Sequence, residues 1–211
     1  MSFRSQAFFD ELPAGYREIR LYDVNSRRFK LITGPVSFAV SLIIAALVFA
    51  SRIRFSADNL TVRWHPLYLL HVLTVIALIV GYTVLHELTH GLVYKILTGR
   101  KLSFGFFGSM AYCGLPGVYV RRNVAAASCI APFVVFTAVF AVLLYALPVN
   151  IFWFVLLIAF MNHIGGCFAD LYAFAIMLRR GKDLLMLDNG KDQHVFVKDN
   201  GAAREFREGK S

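Results

Sequence analysis

A helix needs about 20 residues to cross the hydrocarbon core of a bilayer, and this chain offers four apolar runs at least that long: residues 31–50, 67–97, 124–147 and 151–178. Runs of this length and number point to an all-α membrane protein with four transmembrane helices. The composition agrees, because 58% hydrophobic and 17% charged residues over 211 positions do not fit a soluble domain. A formal charge of +9 raises the question of a nucleic-acid partner, but the Lys and Arg residues flank the apolar runs and form no stripe on a soluble module. The expected partner is the lipid bilayer, with no nucleic acid.

The distribution of those cations also bears on topology. The N-terminal segment holds six Lys and Arg, the loop from Thr98 to Asn123 four, and the tail from Arg179 onward eight, whereas the other side receives only Arg52, Arg54 and Arg63. The positive-inside rule then puts both termini in the cytoplasm. This divides the chain into a cytoplasmic N-terminal segment (1–30), a membrane-embedded domain (31–180) and a cytoplasmic tail (181–211). Asp10, Glu11, Glu18 and Asp23 interrupt the first thirty residues, so no cleaved signal peptide is expected.

The shorter segments are expected to add little regular structure. The third and fourth runs are joined by Pro148-Val149-Asn150, which forces an antiparallel pair of helices. Residues 101–123, KLSFGFFGSMAYCGLPGVYVRRN, are rich in glycine and aromatic residues and suit a short re-entrant segment, a β-hairpin-like loop or an ordinary interfacial connection. The polar tail, with LDNG and HVFVK, is expected to form one strand at most. Cys113, Cys129 and Cys167 are an odd number without metal-type spacing and read as small buried thiols.

Of 13 acidic residues, only Glu87 and Asp170 fall inside the apolar runs, where an ionisable group is costly unless something compensates it. Glu87 belongs to His86-Glu87-Leu88-Thr89-His90, an HExxH pattern. Histidines four apart lie on one helix face, about one turn from each other, so both imidazoles can reach one ion. Glu87 sits beside them as a base that is close to the metal without ligating it, able to take a proton from water. A catalytic zinc usually takes three protein ligands and leaves one place open, and Asp170 is the remaining acid within a run. Depth is compatible: at 1.5 Å per residue the His pair lies about 18 Å before Arg100 and Asp170 about 14 Å before Arg179, less than one turn apart. Asp170 could instead bind a neighbouring hydroxyl beside a helix-packing Gly165-Gly166 pair. Asn162 and His163, eight and seven residues before Asp170, have two roles open to them: donating to a substrate backbone or oxyanion, or bonding between helices. Lys95 is placed to snorkel at the end of its run, and His65 and His71 lie near the opposite boundary.

HELTH on one span, Asn162 and an Asp two spans later resemble the core of the site-2 proteases, the intramembrane zinc metalloproteases. LPAGY (12–16), HELTHGL (86–92), APF (131–133), GGCFADLY (165–172) and LDNG (187–190) resemble a zincin peptidase family of bacterial membrane proteins over nearly the whole chain. The resemblance implies zinc on His86, His90 and Asp170, Glu87 as catalyst, and transmembrane or membrane-associated protein substrates in a bacterial cell membrane. The chain departs from the site-2 pattern where Gly165 and Gly166 replace prolines and Leu171 replaces a glycine after the Asp. Two rivals stand beside the protease: a catalytically inactive metal-binding scaffold or chaperone, and an ion relay, which the lack of an inverted repeat disfavours.

Overall fold

The computed structural model describes residues 7–19, 27–53, 68–107, 110–190 and 193–199. Arg54, Arg63, Trp64 and His65 lie outside them, and of His71 only the backbone is described. The elements in chain order are β1 (Phe8–Phe9), β2 (Tyr16–Ile19), α1 (Arg27–Ile53), α2 (Tyr68–Thr98), β3 (Ser103–Phe107), β4 (Met110–Gly114), β5 (Tyr119–Arg121), α3 (Arg122–Ala146), α4 (Ile151–Gly166), α5 (Phe168–Arg179), β6 (Leu184–Asp188) and β7 (Gln193–Lys198). Among the described residues, four stretches are long and apolar enough to cross a membrane: Leu31–Arg52, Val72–Thr98, Arg122–Ala146 and Ile151–Arg179, the last made of α4 and α5 together. They coincide with the apolar runs of the sequence and are consistent with a membrane protein.

The all-α expectation is corrected by the strands. A five-stranded antiparallel sheet has the order β1-β5-β6-β7-β2, and β3 pairs with β4 in a separate hairpin. Its strands hold two to six residues each and come from the N-terminal segment, the stretch before α3 and the tail. Strands so short carry too little alternation to be read singly, and their partners are remote in sequence: Tyr16 pairs with Lys198 and Val120 with Phe8 and Met186. The 101–123 segment does contain a hairpin, with Ser103 opposite Gly114.

The chain divides into two compact units. The first comprises residues 1–23, 87–129 and 173–211 and contains both sheets. Its core gathers Tyr94, Leu115, Val120, Ala125, Met177, Leu184 and Met186, each at most 1% exposed. Arg100 pairs with Asp10 and lies 4.8 Å from the Phe8 ring, while Arg121 lies 5.1 Å from the Phe9 ring, so the short β1 is held by side chains as well as by β5. Lys95 donates to the Gly99 and Arg100 carbonyls, satisfying backbone groups just past the end of α2.

The second unit comprises residues 24–86 and 130–172. Its core is aromatic: Trp153, Phe140, Phe160 and Tyr82 pack with Leu144, Leu157 and Ile164. The expected tight joint between α3 and α4 is present. Asn150 caps α4 by accepting from the Trp153 backbone N–H at 3.2 Å, and the Trp153 indole donates to the Leu144 carbonyl at 2.8 Å. Leu31, Ile32, Phe38, Ile43 and Leu47 on α1 are 60–66% exposed, an apolar surface suited to lipid. The fourth run is not one helix; it breaks between α4 and α5 at Cys167, just after Gly165 and Gly166. Glycines are poor helix formers and weaken that turn, although the Cys167 N–H still reaches the His163 carbonyl at 3.0 Å.

Candidate metal centre

Helix α2 carries a polar stripe at a spacing of four residues: Tyr82, His86, His90 and Tyr94. Side chains four apart stack along one face, and this face is buried at Tyr82, His86 and Tyr94. The ligating atoms of His86, Glu87 and His90 lie within 4.8 Å of one another, as the HExxH spacing predicts for a helix.

In the second unit, His86 meets the acid of the fourth run. Its Nε2 lies 3.0 Å from Asp170 Oδ2, and its Nδ1 lies 2.9 Å from the Tyr82 hydroxyl. Cys167 joins this group, because its Sγ and the ligating atoms of His86 and Asp170 also fall within 4.8 Å of one another. The sequence reading gave Cys167 no role. The available signal was its place three residues before Asp170, which puts both on one side of a helical turn. All three cysteines are free and buried, as expected.

In the first unit, His90 donates from Nδ1 to the Ser128 carbonyl at 2.9 Å, and Ser128 returns a hydrogen bond from Oγ to the His90 carbonyl at 3.2 Å. A carbonyl can only accept, so Nδ1 holds a proton, and in the neutral ring this leaves the lone pair on Nε2, the tautomer a metal ligand needs. Glu87 accepts from the Cys113 backbone N–H at 3.2 Å, which ties the β4 strand to the candidate base. Burial is the largest influence raising the Cys113 thiol, to about 11, and the carboxylates of Glu87 and Asp188 add to it.

Asp188, the aspartate of LDNG, is buried beside this stripe. It accepts from the Tyr94 hydroxyl at 3.1 Å, the Gly190 N–H at 2.9 Å and Gln193 at 3.3 Å. Burial raises its carboxyl above the ordinary value, and the Gly190 N–H, Tyr94 and the nearby His90 partly offset that rise. Gly190 has φ +87°, a backbone region where side chains are strained, which accounts for the glycine in this turn.

His163 is fully buried; its Nδ1 lies 2.8 Å from the Tyr82 hydroxyl and its Nε2 2.9 Å from Thr137 Oγ1. Asn162, its neighbour on α4, is exposed. Imidazole and carboxylate are donor types that suit zinc, and in the second unit His86 Nε2 faces an Asp170 carboxylate oxygen at hydrogen-bond distance. The chemistry of His86 and Asp170, with Cys167 beside them, fits a zinc ion.

An HExxH turn and an acid of an apolar run facing its first histidine are the residue types of a metallopeptidase-type centre, here on helices long and apolar enough to cross a membrane. The chain belongs to the family described as "putative zincin peptidase", which matches residues 77–185, from within α2 to the start of β6. That family implies zinc dependence and peptidase activity. No curated protein and no solved structure matches the chain.

Proposed function

We propose that this protein is an intramembrane zinc metalloprotease, similar to the site-2 proteases, with His86, His90 and Asp170 as ligands and Glu87 as general base. The observation that carries the reading is the 3.0 Å approach of Asp170 Oδ2 to His86 Nε2, which brings an acid of the fourth run to the first histidine of HExxH. Zinc bound there supplies Lewis acidity, polarising a scissile carbonyl and lowering the pKa of water. Glu87 takes the proton from the attacking water and delivers it to the leaving amine. The Cys113 N–H, donating to one carboxylate oxygen, helps hold Glu87 in place.

A transmembrane substrate hides its carbonyls in helical hydrogen bonds, so it must unwind locally or be cut near its end. The β3-β4 hairpin, which β4 ties to Glu87, offers a strand edge on which an extended segment can be held. The cation distribution supports a multi-pass topology with both termini cytoplasmic.

Cys167 favours a second reading. If its thiolate occupies the fourth place beside His86 and Asp170, the centre is closed like a structural zinc site, and the protein is a metal-binding scaffold or chaperone. One preparation of full-length protein in detergent tests both readings. The protease reading expects a membrane-anchored reporter to be cleaved, cleavage to vanish in Glu87→Gln, and zinc stoichiometry to be unchanged. Unaltered cleavage in that variant removes Glu87 from the mechanism. With cobalt in place of zinc, the protease reading expects no thiolate-to-metal charge-transfer band, whereas the scaffold reading expects one that Cys167→Ser abolishes.

A further inference from the structure

His163 sits in the least hospitable place for an imidazole. It is 0% exposed, and the rings of Phe133, Phe136, Phe140, Phe160 and Tyr82 surround it at centroid distances of 5.4–6.2 Å. A polar ring in such a box is costly unless both nitrogens are paired, and both are. The partners form a chain: Thr137 Oγ1 to His163 Nε2 at 2.9 Å, His163 Nδ1 to the Tyr82 hydroxyl at 2.8 Å, and that hydroxyl to His86 Nδ1 at 2.9 Å. Beyond His86, its Nε2 faces Asp170 at 3.0 Å. The Cys167 thiol also approaches His163 Nδ1 and the Tyr82 hydroxyl, at 3.5 and 3.7 Å, the longer range of sulfur contacts.

Proton counting couples these groups. A neutral imidazole has one N–H and one lone pair, and a hydroxyl has one proton to give. If Thr137 donates to His163, then His163 donates to Tyr82 and Tyr82 to His86 Nδ1, which leaves the His86 proton on Nε2 against Asp170. In the opposite polarity His86 Nδ1 donates to Tyr82, Tyr82 to His163 Nδ1, and His163 Nε2 to Thr137. His86 Nε2 is unprotonated only where His86 Nδ1 donates to Tyr82, whose own proton then goes to His163 Nδ1 or, if His163 donates to Tyr82 as well, to the Cys167 thiol.

We propose that Tyr82, His163 and Thr137 are positioning residues that fix the ring orientation and tautomer of His86 through this hydrogen-bond wire. The inference rests on the reading of His86 as a metal ligand. It also gives the ring nitrogens of His163 a use within the protein, leaving no ring proton for a substrate.

The test is zinc affinity of the full-length protein in detergent, measured by competition with a chelator, together with the visible spectrum of the cobalt form and the histidine tautomers by nitrogen NMR. Tyr82→Phe keeps the ring and removes the wire's central hydroxyl. Zinc affinity is expected to fall about 10–100-fold, the range seen for groups that orient metal ligands, with a shifted cobalt spectrum. Thr137→Val, near in shape and two hydrogen bonds from His86, is expected to cause a smaller loss of the same kind, and Thr137→Ser to restore it. A packing role alone would move thermal stability without moving the cobalt spectrum or the His86 tautomer. Unchanged affinity, spectrum and tautomer in both Tyr82→Phe and Thr137→Val would overturn the wire while leaving the metal reading intact. Undiminished zinc binding in His86→Ala would instead overturn the metal reading, and the wire with it.

Discussion

Cys113 joins two functions within one residue. Its N–H holds the candidate base Glu87 at 3.2 Å, while its side chain is a thiol that burial keeps protonated up to about 11. In the unfolded chain the thiol ionises at its ordinary value of 9.0, so between that value and about 11 the folded protein must retain a proton that the unfolded chain has released. The stability associated with this thiol is therefore fully present below 9 and is lost as pH rises through the window. Thermal unfolding in detergent is expected to fall more steeply with alkaline pH for the natural protein than for Cys113→Ala; equal slopes would show that the thiol is solvated. At this scale the sequence singles out His86, Glu87, His90 and Asp170 because ionisable residues in apolar runs stand out against their surroundings. Tyr82, Cys167 and Thr137 were not, since each is an ordinary residue for a membrane helix until its partner is known.

Between elements, the critical approach is that of β4 to α2. A Cβ at Gly91, the residue after His90, would collide with Cys113 Sγ and lie 3.1 Å from Leu102 Cδ1. The glycine therefore lets the hairpin close on the helix at the height of Glu87. Gly91→Ala is expected to cost about 1–3 kcal/mol by overpacking and to draw the Cys113 N–H away from Glu87. A lower unfolding temperature is expected, with reporter cleavage reduced more than zinc content. Unchanged cleavage would mean that the strand is not what holds the base. The limits of α2 and α3 were legible to within about two residues, because apolar length needs no partner, while α1 extends four residues before and three beyond its apolar run. The break at Cys167 was not, since Gly165 and Gly166 also suit close helix packing.

Over the whole molecule, the sheet gathers distant parts of the chain. β7 lies between β6 and β2, pairing Leu185 with Phe196 on one side and Glu18 with Phe196 on the other. A chain truncated after residue 192 loses β7, leaves β2 without its partner and removes Val195 and Phe196 from burial. Limited proteolysis is expected to cut such a protein readily near the N-terminus, and its unfolding temperature to drop. Resistance equal to that of the natural chain would show that the sheet adds no stability.

The helices long and apolar enough to cross a membrane and the HExxH turn were determined by the sequence alone, because apolar length and the pitch of a helix are local properties that neighbours along the chain settle among themselves. The five-stranded sheet, the burial of Asp188 beside His90 and the path from Thr137 through His163 and Tyr82 to His86 were decided only by the tertiary structure. Each depends on groups far apart in the chain coming within about 3 Å, the distance at which a hydrogen bond forms. Short strands and single hydroxyls leave no periodic trace of their partners.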